Sequence, residues 1–375
     1  MKRYIFDEEH QLFRDNFRKF CQEEVVPHSD QWREDGIVSR QVWLKAGESG
    51  FLAPFVAEAY GGLGLKDFRY SQIMIEELSG VGETGFALSL HNDIIAPYIN
   101  TFGTEVQKQK YLPKIISGEC ILAVAMTEPG TGSDLQAIQS KLEKKGNGYL
   151  LNGAKTFISN GILCDLVVVA AKTEKGITLC LVERGMPGFQ KGRRLKKMGM
   201  KSQDTSELFF ENVQLGPEHI LGEIDKGFIC LMQKLVQERI VTAIGAVASS
   251  QRALQLTIDY VKERKAFGKT ISQFQNTRFK LAEMKTEITI AQTFIDSLIM
   301  RHLKGEVTPD EACMAKYWTT DLLNKVVDEG VQLHGGYGYM EEYPICRAYT
   351  DARITRIFAG TNEIMKDVIA RGMNL

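Results

Sequence analysis

What this chain lacks narrows its chemistry first. Its 375 residues hold no C-x-x-C pair, and the seven cysteines (Cys21, Cys120, Cys164, Cys180, Cys230, Cys313, Cys346) are odd in number and widely spaced. That pattern fits a reducing compartment with buried or idle thiols, not a disulfide framework. The six histidines show no H-x-x-x-H or comparable ligand spacing, so no zinc site is expected. No apolar run approaches the ~18 residues that cross a bilayer, so integral membrane association is not expected either. A formal charge of −1 leaves no basic face to neutralise phosphates, which argues against nucleic acid as a partner. Internal repeats and low-complexity segments are also missing.

The remainder is an ordinary globular composition, 44% apolar and 25% charged, in a chain long enough for two or three domains. From residue 7 to 118 the period is helical, with Phe13, Phe17, Phe20 and Val25 on one stripe. Asp7 with Glu8 and Glu9 favours a helix start, and Asp67, after the break Tyr60-Gly61-Gly62-Leu63-Gly64, reads as an N-cap. Between about 121 and 222 short runs take over: Tyr149–Asn152, Leu166–Ala171, Ile177–Val182 and Glu207–Val213. Turn signals at Lys145–Gly148 and Gly185–Gly188 separate them, as in an antiparallel β domain. Beyond Gly227 the helical period returns in long patterns at 228–264, 272–304 and 308–334. The expectation is an α+β protein with helical 1–120, β 121–225 and helical 226–375.

Two segments suit a planar redox ring. Met126-Thr127-Glu128-Pro129-Gly130-Thr131-Gly132-Ser133-Asp134 is a tight glycine-rich turn that offers peptide N–H groups to a polar edge. Gly153 to Gly161 follows through a hairpin, with Phe157 to lie against the ring face and Ser159 two positions on. A turn of Pro and Gly is, by itself, only a turn. Other glycine-rich stretches carry less. Gly268-Lys269-Thr270 lacks the P-loop's earlier glycine, since that position is Glu263. Gly47-Glu48-Ser49-Gly50 lacks the nucleophile-elbow spacing. Gly335-Gly336-Tyr337-Gly338 follows a helical pattern, which disfavours a Rossmann site. Six cations between Lys191 and Lys201 read as a solvated loop or strand end.

One carboxylate is out of place. Gly227–Ala248 is apolar nearly all round, and Glu238 lies seven residues after Leu231 and three after Leu235 on an apolar stripe. Burying an unpaired charge costs several kcal/mol. Either Arg239 or a distant cation neutralises it, or it is a general base with a raised pKa aimed at a weakly acidic C–H.

With Thr127–Asp134, Glu263-Arg264-Lys265-Ala266-Phe267-Gly268, Gln332-Leu333-His334-Gly335-Gly336-Tyr337-Gly338 and Gly360-Thr361-Asn362-Glu363 in this order, the chain resembles the acyl-CoA dehydrogenases nearly end to end. The resemblance implies an N-terminal helical domain, a middle β-barrel-like domain and a C-terminal four-helix bundle that builds a homotetramer. It implies FAD between the last two. Val124, Met126, Thr127, Gly132 and Ser133 would line the flavin, Phe157 would lie against its ring face, Ile158 would be among the cofactor contacts, and Ser159 would bond near N5. Arg264, Phe267, Gln275, Gln332, Leu333, His334, Gly335 and Gly336 match residues that hold the adenosine diphosphate half, partly across a subunit boundary. Thr361, Asn362 and Glu363 match contacts to the same cofactor.

Short- and medium-chain members carry their base just before the last Gly-Thr, where this chain has Ala359. Long-chain and isovaleryl members place it at the position of Glu238, so the resemblance and the stray carboxylate name one residue. The implied reaction is removal of the pro-R α-proton of an acyl-CoA by Glu238, with the β-hydrogen passing as hydride to flavin N5 to give a trans-2-enoyl-CoA. The thioester oxygen would rest on the flavin ribityl 2′-hydroxyl and the backbone N–H of Ala359. Ser133, Ile229, Val236, Gln237, Arg239, Ala359 and Gly360 would meet substrate, with Ser89–Pro97 and Phe228–Leu235 lining the acyl pocket. Gln237-Glu238-Arg239 and Cys313–Trp318 are similar to the long-chain group; a branched, isovaleryl-type substrate and a non-catalytic acyl-CoA-binding role are the alternatives. An electron-transferring flavoprotein would take the electrons. Met1-Lys2-Arg3-Tyr4-Ile5-Phe6-Asp7 enters an acidic amphipathic helix without a leader pattern. The expected location is the cytoplasm, or the mitochondrial matrix if a leader has been removed.

Overall fold

Capping and burial set the helical opening. The computed structural model describes residues 3–373, so Met1 and Lys2, on which part of the localisation reading rests, lie outside the described residues. The Asp7 carboxylate accepts from the His10 amide at 3.2 Å and starts α1 (Glu8–Phe20), which buries Phe17 and Phe20. Two shorter helices follow, α2 (Ser29–Asp35) and α3 (Arg40–Glu48). Asp67 caps α4 (Phe68–Val81) through the Arg69 amide at 2.9 Å, as its position in the sequence suggested. A π-helical turn, Leu90–Ile95, runs into α5 (Ala96–Phe102), and a Thr104/Gln107 capping box opens α6 (Glu105–Ser117).

Eight strands then form one sheet: β1 (Leu122–Ala125), β2 (Lys141–Lys145), β3 (Gly148–Ser159), β4 (Leu166–Lys172), β5 (Ile177–Glu183), β6 (Phe189–Arg194), β7 (Thr205–Leu215) and β8 (Ile220–Leu221). Their order is β6-β7-β3-β2-β4-β5-β8, with β1 beside β4. The sequence suggested antiparallel pairing throughout. The β1–β4 and β2–β4 pairs are instead parallel, which the long connections between those strands allow and a tight hairpin would not. The largely apolar β4 and β5 are buried on both faces. Leu166, Val168 and Ala170 face the core shared with α5 and α6, while Val167, Val169 and Ala171 face a second core against β3 and β7.

The C-terminal part is built on α7 (Gly227–Glu263), followed by a minimal hairpin of β9 (Lys265–Ala266) and β10 (Lys269–Thr270), then α8 (Gln275–His302), α9 (Pro309–His334), α10 (Pro344–Ala352) and α11 (Asn362–Gly372). At 37 residues α7 is about 55 Å long and serves two cores in turn. Leu231 joins the cluster of Tyr98, Val168 and Leu179, whereas Ile240, Val247 and Leu254 join the helical cluster with α8 and α9. Glu238 lies where α7 passes from one core to the other.

Candidate active site

Glu238 is buried at 6% exposure, and its Oε1 accepts a hydrogen bond from the Tyr98 hydroxyl at 2.9 Å. Tyr98 is fully buried on α5, brought there from 140 residues away. Burial pushes the Glu238 carboxyl up to about 7; the Tyr98 hydrogen bond and the charge of Arg239 pull the other way and do not offset it. Burial, with the neighbouring Glu238 charge, drives the Tyr98 phenol well above its ordinary range, so it stays a donor at physiological pH. A carboxylate near 7 can take a proton and release it again at neutral pH.

Arg239 acts on Glu238 through its charge but not through a contact. Among the described residues no ion pair joins Arg239 to Glu238, and Arg239 is itself buried with its Nε unpartnered. Gln237 turns the other way: its Nε2 donates to the Asp93 carbonyl at 2.6 Å and its Oε1 meets His302 Nε2 at 3.2 Å. Val236 packs on the helical core, and Ile229 is half exposed. Neither Tyr98 nor the buried carboxyl of Asp93 carries a sequence signal. Asp93 is also lifted to about 7 by burial, but its carboxyl is held by the Ser71 hydroxyl at 2.6 Å.

The glycine-rich turn reaches the same region. Val124 and Met126 pack against the cluster that contains Tyr98 and Leu231. Within the turn, Glu128 and Thr131 exchange backbone hydrogen bonds, and the Thr156 amide donates to the Thr127 carbonyl at 3.0 Å, which sets Thr127 beside Phe157. Underneath, Lys155, fully buried, donates to Glu128 Oε1 at 2.8 Å and to the Met126 carbonyl at 3.0 Å. The exposed Gly132 and Ser133 offer peptide N–H groups that no other described protein atom takes up.

Phe157 is 68% exposed with φ +59°, at a register shift between Lys155 and Ile158 where β3 bulges against β7. A phenylalanine in the left-handed region is a strained outlier, and strain of that kind collects at ligand clamps. Phe267 repeats it at φ +50° and 94% exposure, and Ala359 at φ +53°. An uncovered aromatic next to the residue that anchors the turn at Thr127 suits a planar, polar-edged ring such as a flavin. Ile158 turns its side chain into the β core, so only its main chain is available; Ser159 is partly exposed.

A second group of the expected residues assembles at the far end of α7. The Arg264 guanidinium lies 5.6 Å from the Tyr337 ring centre, and His334 stacks on Tyr260 at 4.1 Å. Gln275, Gln332, Gly335 and Gly336 are exposed beside them, and a Cβ on either glycine would meet nothing within 4 Å. Leu333 packs on the helical core, and the His334 ring is committed to the Gly330 carbonyl at 2.7 Å. Thr361, which N-caps α11, and the exposed Glu363 are not among this group. The buried Asn362 side chain bonds to Thr320 and Asp321 on α9, roughly 18 Å along that helix from Gln332. One copy of the chain therefore keeps the two sets apart. A surface cleft of about 320 Å3 lined by Lys110, Lys114, Asp165, Glu183 and Arg184 contains none of these residues.

Comparison with known proteins decides the family. Models of the acyl-CoA dehydrogenase N-terminal, middle and C-terminal domains match residues 7–119, 123–213 and 225–374. The chain belongs to the acyl-CoA dehydrogenase family. It is 50% identical over 98% of its length to 87% of the mitochondrial long-chain specific acyl-CoA dehydrogenase of Mus musculus. An isovaleryl-CoA dehydrogenase of Oryza sativa is 36% identical over 98% of this chain and 91% of its own. The structure of an acyl-CoA dehydrogenase from Geobacillus kaustophilus superposes with a TM-score of 0.98 at 51% identity, covering both chains fully. Acyl-CoA dehydrogenases are FAD-dependent oxidoreductases, and a glutaryl-CoA dehydrogenase of Mycobacterium smegmatis (26% identity, TM-score 0.92, 98% and 95% coverage) is a complex with FADH2. Among the described residues of this family member no helix is long and apolar enough to cross a membrane, and no group of three His, Cys, Asp or Glu could hold a metal.

Tyr98→Phe tests how the phenol tunes Glu238. Removing the donor to the charged form should raise the carboxyl further, by about one pKa unit for a charged hydrogen bond. The rising limb of kcat/KM against pH is expected to move by that amount to higher pH, with little change above it. An unmoved limb would show that the contact is broken once substrate is present.

Proposed function

We propose that this protein oxidises a long-chain acyl-CoA to its trans-2-enoyl-CoA, with Glu238 as the α-proton base. The observation that carries this reading is the buried Glu238 carboxyl, raised to about 7 and touched by the Tyr98 hydroxyl, with no ion pair to it among the described residues. Bound FAD supplies the acceptor for the hydride that leaves the β-carbon. The protein's own part is geometric. Glu238 Oε takes the α-proton; the Ala359 N–H steadies the charge that develops on the thioester oxygen; Val124, Met126 and Phe228 help keep water from the reacting carbons. Thr127, Ser133, Phe157 and Ser159 would hold the flavin end of the cofactor.

The separation of the Arg264–Gly336 group from Thr361–Glu363 along α9 supports a cofactor site completed by a second copy, as in a homotetramer. The exposed Phe279, Ile290, Tyr339 and Phe358 supply apolar surface for such an assembly. Electrons would pass to an electron-transferring flavoprotein.

The long-chain reading rests on 50% identity to a long-chain enzyme against 36% to an isovaleryl one. Anaerobic mixing of the FAD-loaded protein with straight and branched acyl-CoA esters of graded length tests it through bleaching of the flavin absorption. The fastest bleaching is expected with long straight chains. A maximum at a branched five-carbon ester would reassign the substrate, and no bleaching with any ester would leave an acyl-CoA-binding protein.

A further inference from the structure

A buried lysine holds the loop on which the proposed thioester contact depends. Lys316, in the middle of α9, is fully buried, and its Nζ donates to the Gly360 carbonyl at 2.7 Å and to Asn362 Oδ1 at 2.9 Å. No carboxylate among the described residues lies within ion-pair distance of it. An ammonium taken out of water for two neutral oxygens is costly, so something must be gained from its position.

What it holds is a strained turn. Ala359 and Gly360 sit at φ +53° and +87°, and the chain then enters α11 through the Thr361 cap. Asn362 is gripped at once by Thr320 Oγ1, Asp321 Oδ1 and the Tyr317 carbonyl, all from the same face of α9. The left-handed Ala359 costs about 1 kcal/mol and would relax if Gly360 were let go. Such a relaxation would swing the Ala359 N–H.

We propose that Lys316 is a positioning residue that pins the Gly360 carbonyl and so aims the Ala359 N–H at the substrate thioester oxygen. This rests on the reaction proposed above. Its charge is also adjustable. Burial draws the ammonium down to about 8, against the pull of Asp321 and Glu363 and with a further push from Arg239 on α7. Cys313 on α9 also acts on it; of the charges next to its neighbours, Lys366 lies over the Tyr317 ring and Arg356 is paired to Asp321 at 2.7 Å. Below about pH 8 the loop is held by charge-assisted hydrogen bonds, and above it by weaker neutral ones.

The test uses the FAD-loaded protein and its Lys316→Met variant with a long-chain acyl-CoA. Displacing the N–H should lower kcat about ten- to a hundredfold with little change in KM, and the alkaline decline of wild-type kcat should vanish in the variant. A second readout does not need turnover. In the Glu238→Gln background, the vibrational stretch of the bound thioester carbonyl should lie at low frequency near pH 7 and rise as the pH passes about 8. With Lys316→Met added it should stay high at every pH. A carbonyl band indifferent to both pH and Lys316 would overturn the proposal, even if flavin bleaching proves the reaction. So would a variant whose only change is lost FAD or altered sedimentation. If Lys316→Met does not fold, the pH series on Glu238→Gln alone decides.

Discussion

Glu238→Gln is expected to lower turnover about a thousand- to ten-thousand-fold, the loss that follows removal of a positioned base, while FAD and acyl-CoA remain bound. The amide keeps an oxygen for the Tyr98 hydroxyl and nearly the same volume, so the helix crossing is undisturbed. Two further consequences distinguish loss of a base from loss of structure. The wild-type carboxyl must be ionised to act, so kcat/KM should rise with pH through about 7, and the residual activity of the variant should lack that limb. Stability should move the opposite way. The folded pKa of about 7 stands above the ordinary 4.5, so between these values the native state binds more protons than the unfolded one. The carboxyl therefore costs nothing below about pH 4.5, costs progressively more up to about pH 7, and a constant amount beyond. Removing it should stabilise the protein by up to about 3 kcal/mol above about pH 7 and by nothing at about pH 4. Urea unfolding at the two pH values measures the difference. Turnover within tenfold of wild type would exclude Glu238 as the base.

Legibility in the sequence is uneven for physical reasons. Glu238 is visible because a helix has one period, and a charge on the wrong stripe of it stands out. Asp7 and Asp67 are visible as caps because their hydrogen bonds are local. Tyr98 is not, since its partner is 140 residues away and only tertiary packing joins them. β2 reads Lys-Leu-Glu-Lys-Lys, which buries Leu142 alone and so offers no run to recognise; β6, with Lys191, Arg193 and Arg194 among its six residues, is equally hard to see. The cationic segment from Lys191 to Lys201 is the strand end and loop that the sequence suggests, with Arg193, Arg194 and Lys196 exposed, but three of its lysines are engaged. Lys191 donates to the Ile162 and Cys164 carbonyls, Lys197 to that of Gln203, and Lys201 pairs with Glu341. A lysine that caps carbonyls and one in water look alike in a sequence. The same limit applies to His334 and Asn362, whose motifs are clear but whose side chains point inward.

Lys155→Met should cost about 3–5 kcal/mol and release the flavin, because it leaves Glu128 as a buried charge without its cation. Buried ion pairs can often be exchanged for apolar residues, but this pair is tied to the main chain at both ends. Glu128 accepts from the Gln139 and Ser140 amides at 2.6 and 2.9 Å, and Lys155 donates to the Met126 carbonyl. Those bonds fix the two ends of the turn 126–140 and, through the next residue's amide, set Thr127 against the base of Phe157. Replacing both members by methionine would orphan two amides and a carbonyl, so the double variant should not recover the loss. Burial works to raise the Glu128 carboxyl, but Lys155, Ser140 and Gln139 together hold it below the usual range. Its contribution is thus present above about pH 4.5 and lost as acid protonates it, which predicts flavin release on the acid side before the helices unfold. Flavin fluorescence against pH and urea, compared with helical circular dichroism, separates the two events. If Lys155→Met retained FAD with wild-type affinity, the turn would be held by its glycines and hydrogen bonds alone, and the buried pair would have no part in seating the cofactor.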